Sequence, residues 1–246
     1  MTVGVDLSTW LLVGAAALAA STLAAVAGFG GAAVLLPALV AVFGVRDAIP
    51  ILTVAQLIGN GSRVWFNRRE LAFPVVGWFS LGAVPLALLG GFVFAAAPLG
   101  PLKRLVGGFL LFMVAWRHLR RGPPWKPATR AFAPIGAVFA FLSALVGSVG
   151  PLMAPFFLSY GLVKGAYIGT EALATVVMHV TKLVAYKGAA VLTANAVTVG
   201  LALGPIMVGG SYVGKRILDR YVPEKAFGLL IEVILVAVGA QFLLRP

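Results

Sequence analysis

The length of its apolar runs constrains this chain more than any other feature. Stretches such as 75–98 and 227–244 can cross a hydrocarbon core of about 30 Å at about 1.5 Å per residue. Of the 246 residues, 61% are hydrophobic and 11% charged, against about a quarter charged in a soluble domain. Lipid is therefore the solvent, and the fold class that follows is all-α integral membrane. The thirty glycines and fifteen prolines would break up a soluble bundle. In membrane helices they mark close packing or deliberate interruptions.

The charge pattern points the same way. The net charge is +12, but the basic residues sit mainly in short connections between apolar runs. That pattern orients membrane helices and meets anionic headgroups, so membrane lipid is the expected partner and nucleic acid is not. Cysteine is absent, which excludes disulfides, thiolate nucleophiles and cysteine-ligated metals. The first apolar stretch, 9–27, has no basic flank before it and reads as part of the mature protein.

Apolar segments fall near 9–27, 29–43, 48–66, 74–96 and 101–116, and again near 131–147, 149–160, 165–186, 191–214 and 223–244. Their lengths match in order, with Gly28-Phe29-Gly30-Gly31 breaking the first series and Gly147-Ser148-Val149-Gly150 the second. At an offset of 119, Gly28 falls on Gly147, Gln56 on Thr175, Asn60 on His179 and Arg63 on Lys182. The expected organisation is a first transmembrane repeat over 1–121, a basic cytoplasmic connection over 122–130 and a second repeat over 131–246.

Placing Arg68, Arg69, the central connection, Lys215, Arg216, Arg220 and Lys225 in the cytoplasm leaves fewer basic residues outside. The connections at 67–72 and 187–191 then lie on opposite faces. The repeats are therefore inverted, each a re-entrant helical hairpin plus three transmembrane helices, with glycines at the hairpin tips and both termini outside the cytoplasm.

Two constellations could carry chemistry. Helices that start after the glycine breaks aim backbone N–H groups and positive dipole ends at the midplane, where they suit an oxyanion. The residues concerned are Gly28, Gly30, Gly31, Gly147, Ser148 and Gly150; close helix packing is the competing account of such glycines. The second constellation is a pair of polar stripes at helical spacing, Thr53, Gln56, Asn60 and Arg63 in one half and Glu171, Thr175, His179 and Lys182 in the other. Polar residues at depth usually face a cavity or a partner. Arg63 and Lys182 could instead snorkel to the interface, and Glu171 could simply complement the start of its helix.

An enzyme is disfavoured. There are seven acidic residues and two histidines, with no metal-ligand spacing, no phosphate loop and no paired carboxylates at depth. No catalytic residue, metal or cofactor is expected.

Ala27-Gly28-Phe29-Gly30-Gly31-Ala32-Ala33-Val34-Leu35-Leu36-Pro37-Ala38-Leu39 resembles the opening motif of the sulfite exporter TauE/SafE family of membrane permeases. Val146-Gly147-Ser148-Val149-Gly150-Pro151-Leu152-Met153-Ala154-Pro155 resembles its repeat, with Pro151 in place of a further glycine. The resemblance spans nearly the whole chain. It implies a secondary transporter, an exporter, of small sulfur-containing anions such as sulfite or organosulfonates in the cell (inner) membrane. A homodimer is compatible with it. Proton coupling would fall to His179, whose unperturbed pKa lies near physiological pH. The alternative is a non-transporting membrane scaffold or assembly subunit, whose polar stripes would face a partner chain instead of an enclosed cavity.

Overall fold

The computed structural model describes residues 6–98, 126–147 and 149–223. Among these residues the chain is all-helical. Helix α1 (Leu7–Ala27) is followed by α2 (Gly31–Phe66), α3 (Phe73–Ala96) and, after a 3-10 turn at Thr129–Ala131, α4 (Phe132–Val146). Then come α5 (Gly150–Tyr160), α6 (Lys164–Gly188), α7 (Ala194–Ala202) and α8 (Gly204–Tyr221). Among the described residues, five stretches are long and apolar enough to cross a membrane: Leu7–Ala27, Phe73–Ala96, Thr129–Val146, Lys164–Gly188 and Ala194–Tyr221. The segment expected at 101–116, all but the first residue of that at 223–244, and Ser148 lie outside the described residues.

Two boundaries differ from the sequence reading. The segments expected at 29–43 and 48–66 form one helical run, α2, broken at Gly44 (φ 72°, ψ 164°) into limbs of 31–43 and 45–66. The single segment expected at 191–214 is two helices that meet at Leu203. Pro205 accounts for this: in mid-helix its ring would clash with the carbonyl four residues back, whereas in the first turn of α8 its missing N–H costs nothing.

Helix α2 packs on α6, α3 on both α4 and α6, and α1 on α8. Small residues set these crossings, as in many membrane bundles. A Cβ at Gly82 would fall 1.9 Å from Ala133 O and one at Gly136 2.2 Å from Phe79 O, so α3 and α4 touch backbone to backbone. Gly210 and Gly214 do the same for α8 against Leu18 and Thr22 of α1. Leu11, Leu81 and Val184 are exposed and give the bundle an apolar exterior.

The second limb of α2 runs antiparallel to α6. At one end of the bundle Arg46 donates to Ala95 O at 2.6 Å, and Ile49 packs with Phe94 and Tyr186. At the other end Ala72 N–H donates to Thr170 Oγ1 at 3.0 Å, and Gly169 lies against Asn67. The glycine tips reach the interior between these ends. From Gly44, the limb 31–43 rises only about 20 Å against about 33 Å for 45–66. The two tips touch: a Cβ on Gly150 would sit 3.0 Å from Phe29 Cβ.

Candidate functional site

A chain that reverses inside a membrane must end one helix and start another with no water to satisfy the exposed backbone groups. Glycine makes the first reversal. Gly28 (φ 83°) and Gly30 (φ 90°) adopt left-handed conformations that other residues reach only with strain. Gly147 does the same at the second tip (φ 84°). Gly31 and Gly150 are instead the first residues of α2 and α5, where close approach is the constraint; a Cβ on Gly31 would lie 2.8 Å from Ala20 O.

Each reversal leaves carbonyls at a helix C-terminus, and each half supplies them a cation from its third segment. Arg63 Nη1 donates to Ala24 O at 3.0 Å and to Gly28 O at 2.8 Å, at the end of α1. Lys182 Nζ donates to Ser143 O at 3.3 Å and to Ser143 Oγ at 3.1 Å, at the end of α4. The separation between cation and carbonyl is 39 residues in both halves. The tip glycines donate to those same two carbonyls, Gly28 N–H to Ala24 O at 2.8 Å and Gly147 N–H to Ser143 O at 2.9 Å. A cation at a helix C-terminus also opposes the negative end of the dipole.

Arg63 and Lys182 are both buried. They face these carbonyls and do not snorkel to the interface. Glu171 also departs from its reading as a complement to the start of its helix. It lies in the second turn of α6, buried, with Oε2 3.5 Å from Arg63 Nη1. Thr175 Oγ1 donates to its Oε1 at 3.1 Å. Arg63 Nη2 also donates to Asn60 Oδ1, and Asn60 Nδ2 donates to Gln56 O at 2.7 Å.

Between the tips, α2 and α6 lies a cavity of about 40 Å³, room for about three water molecules and so for a small oxyanion. Gly28, Gly30 and Gly31 line it from the first tip, and Gly147 and Gly150 from the second. Gln56, Asn60 and Arg63 close one wall and Glu171, Thr175 and His179 the other. Lys182 stands behind Ser143, which itself lines the cavity; Ser148 lies outside the described residues. His179 Nδ1 is buried without a hydrogen-bond partner among the described residues. A buried orphan of that kind needs a partner such as water or a bound ligand.

The two tips offer an anion unequal numbers of donors. The first-turn N–H groups of a helix lack intrahelical acceptors, which leaves those of Gly31 and Ala32 available at the start of α2. At the start of α5, Pro151 has no N–H, and Leu152 N–H is committed to Val149 O at 2.9 Å. Sequence reasoning missed Ser143, Phe29 and Met178, which also line the cavity. Their residue types carry no functional signal.

The contrast between the two cations gives an expected result. Lys182 bonds only to a neutral residue, so Lys182→Met should fold nearly as well as the parent, with Ser143 Oγ turning back onto its own helix. Affinity for a small oxyanion should fall, by less than for Arg63→Ala. An equal or larger loss, read by calorimetry, would place Lys182 in direct contact with the anion.

No curated protein and no solved structure matches this chain significantly. The profile of the family described as sulfite exporter TauE/SafE matches residues 13–242, a span that takes in both glycine tips, both buried cations and every described helix except the start of α1. With that match over nearly the whole of an apolar, multi-pass chain, the protein belongs to the sulfite exporter TauE/SafE family of membrane transporters.

Proposed function

We propose that this chain is a secondary transporter that exports small sulfur-containing anions, sulfite or organosulfonates, across the cell (inner) membrane. The anion binds in the cavity between the two glycine tips. One observation carries the reading: a cavity the size of a small oxyanion, where the N-terminus of α2, the Arg63 guanidinium and His179 Nδ1, unpartnered among the described residues, converge. The residues in contact with substrate are Gly28, Gly30, Gly31, Gln56, Asn60, Arg63, Gly147, Gly150, Thr175 and His179. Lys182 contributes its charge from behind Ser143. A scaffold subunit would turn its polar stripes toward a partner chain, and these stripes face inward. The tips in contact at Phe29 and Gly150 argue against an open pore.

The transport cycle proposed is alternating access between two inverted repeats. The equal spacing of Arg63 to Ala24 and Lys182 to Ser143, and the antiparallel course of 45–66 and α6, support it. So does the exchange of partners, in which the first helix of each half packs on the last described helix of the other (α1 on α8, α4 on α3). The bundle end that carries Arg68, Arg69, Arg130 and Lys164 is assigned to the cytoplasm.

Efflux of labelled sulfite and methanesulfonate from reconstituted vesicles tests the function. Release of both anions no faster than from protein-free vesicles would refute it. For topology, the cysteine-free background permits Arg69→Cys and Ala189→Cys. They are expected to react with a membrane-impermeant maleimide from opposite faces, and labelling from one face would rule out inversion.

A further inference from the structure

Glu171 is the one buried carboxylate among the described residues, and it lines a cavity otherwise suited to anions. A buried cation at this depth does not require it. At the offset of 119 that relates the halves, Glu171 corresponds to Leu52, and Lys182, the counterpart of Arg63, is satisfied by Ser143 alone. The contact with Arg63 is also loose. At 3.5 Å it is well beyond the usual span of a charge-assisted hydrogen bond, about 2.7–2.9 Å. The same guanidinium nitrogen holds Gly28 O at 2.8 Å. Arg63 is thus anchored by backbone and only lightly engaged by the carboxylate, on the side that faces the cavity.

We infer that Glu171 is an internal anion exchanged against the substrate: the transported anion takes its place beside Arg63 while the Glu171 carboxylate takes up one proton. This rests on the anion site proposed above. The Arg63–Glu171 ion pair breaks, one O–H bond forms on the carboxyl with a proton from the aqueous phase, and a new ion pair forms between Arg63 and the substrate. With both anions charged, two negative groups would share one guanidinium in a small cavity, which like-charge repulsion disfavours. Proton and anion therefore bind together, and the site carries one proton per anion. The titratable groups facing Glu171 are Arg63 from α2, Tyr167 one turn earlier on α6 and His179 two turns later on the same wall of α6. The tips bring Gly28, Phe29 and Gly150, which do not titrate.

Methanesulfonate, whose own charge is constant over the range, is the probe. Its affinity for the purified full-length protein should strengthen as pH falls from about 8 to about 5.5, by up to about tenfold per unit for one linked proton. Binding in weakly buffered solution should withdraw one proton per anion from the medium. Glu171→Gln, which keeps the shape and can still accept from Thr175, should flatten the profile and bind more tightly than wild type at high pH. His179→Gln should weaken binding but keep the slope. Binding by wild type without proton uptake, or an unchanged slope in Glu171→Gln, overturns the inference even if Arg63→Ala abolishes binding. Wild-type binding that is insensitive to Arg63→Ala overturns the anion site as well. The proton-uptake measurement decides the matter if Glu171→Gln fails to fold.

Discussion

Arg63→Ala is expected to cost more than loss of any other polar side chain in the cavity, in stability and in anion affinity alike. The guanidinium holds Ala24 O, Gly28 O and Asn60 Oδ1 and faces Glu171. Its removal leaves a buried carboxylate without a counter-charge, a loss on the order of 3–5 kcal/mol. It also strips donors from the end of α1, where no water substitutes. For a bound anion, the lost charge-assisted hydrogen bond is worth about 1.5–3 kcal/mol, or roughly ten- to hundredfold in affinity. Melting in detergent and sulfite binding separate the two losses. The double variant Arg63→Ala with Glu171→Gln should recover much of the stability, because both charges are gone, and none of the affinity. Arg63→Lys should recover neither fully, since an ammonium cannot reproduce the planar fork. An Arg63→Ala protein that melts and transports like the parent would remove Arg63 from the site.

The fold was legible where membrane physics leaves few choices. Apolar length gave the helices of 74–96 and 165–186 to within two residues at each end, because a spanning segment has few ways to satisfy its backbone. The joins were harder. Whether Gly44 ends a helix or bends it depends on how far apart the limbs are held by α1 and α6, which is tertiary information. Pro205 was visible as a residue, but a proline in a membrane helix either kinks it or restarts it, and only the meeting with α7 at Leu203 decides between them.

At the site, spacing brought Gln56, Asn60 and Arg63 to one face and Thr175 and His179 to another, and those faces meet across the cavity. The roles of the charges were less legible. Snorkelling and burial both fit Arg63 and Lys182 near helix ends. The carbonyls that decide the matter belong to helices about 39 residues away. Glu171 was read through its nearness to a helix start. Its partner is 108 residues distant in sequence, on the other half, and no local pattern announces a contact of that kind. The offset of 119 was the better guide, since it pairs Arg63 with Lys182, and each of these bonds a carbonyl 39 residues earlier in the chain.

The tip glycines should separate conformational need from packing need, and the expected order is steep. Gly28→Ala places a Cβ at positive φ and 2.4 Å from the Tyr167 ring, so it should be poorly folded and inactive. Gly147→Ala meets Leu52 Cδ2 at 3.3 Å and Ile49 and Leu36 at ordinary contact distance, and should lose about 1–2 kcal/mol to the left-handed backbone. Gly90→Ala would bring its Cβ to 2.8 Å from Phe141 O and should loosen the packing of α3 on α4. Gly209→Ala has no neighbour within 4 Å and should gain up to about 1 kcal/mol in helix stability. Gly30→Ala is the decisive variant. Gly30 holds φ at 90° and caps α2, its carbonyl accepting from Val34 N–H at 3.3 Å, so a side chain there re-aims the N–H groups of Gly31 and Ala32. If those donors cradle the anion, Gly30→Ala should lose at least tenfold in sulfite affinity, about 1.4 kcal/mol, while Gly90→Ala at matched folded protein loses little. Wild-type affinity in folded Gly30→Ala would leave the tips as hinges between helices and transfer the binding of the anion to Arg63 and its neighbours alone.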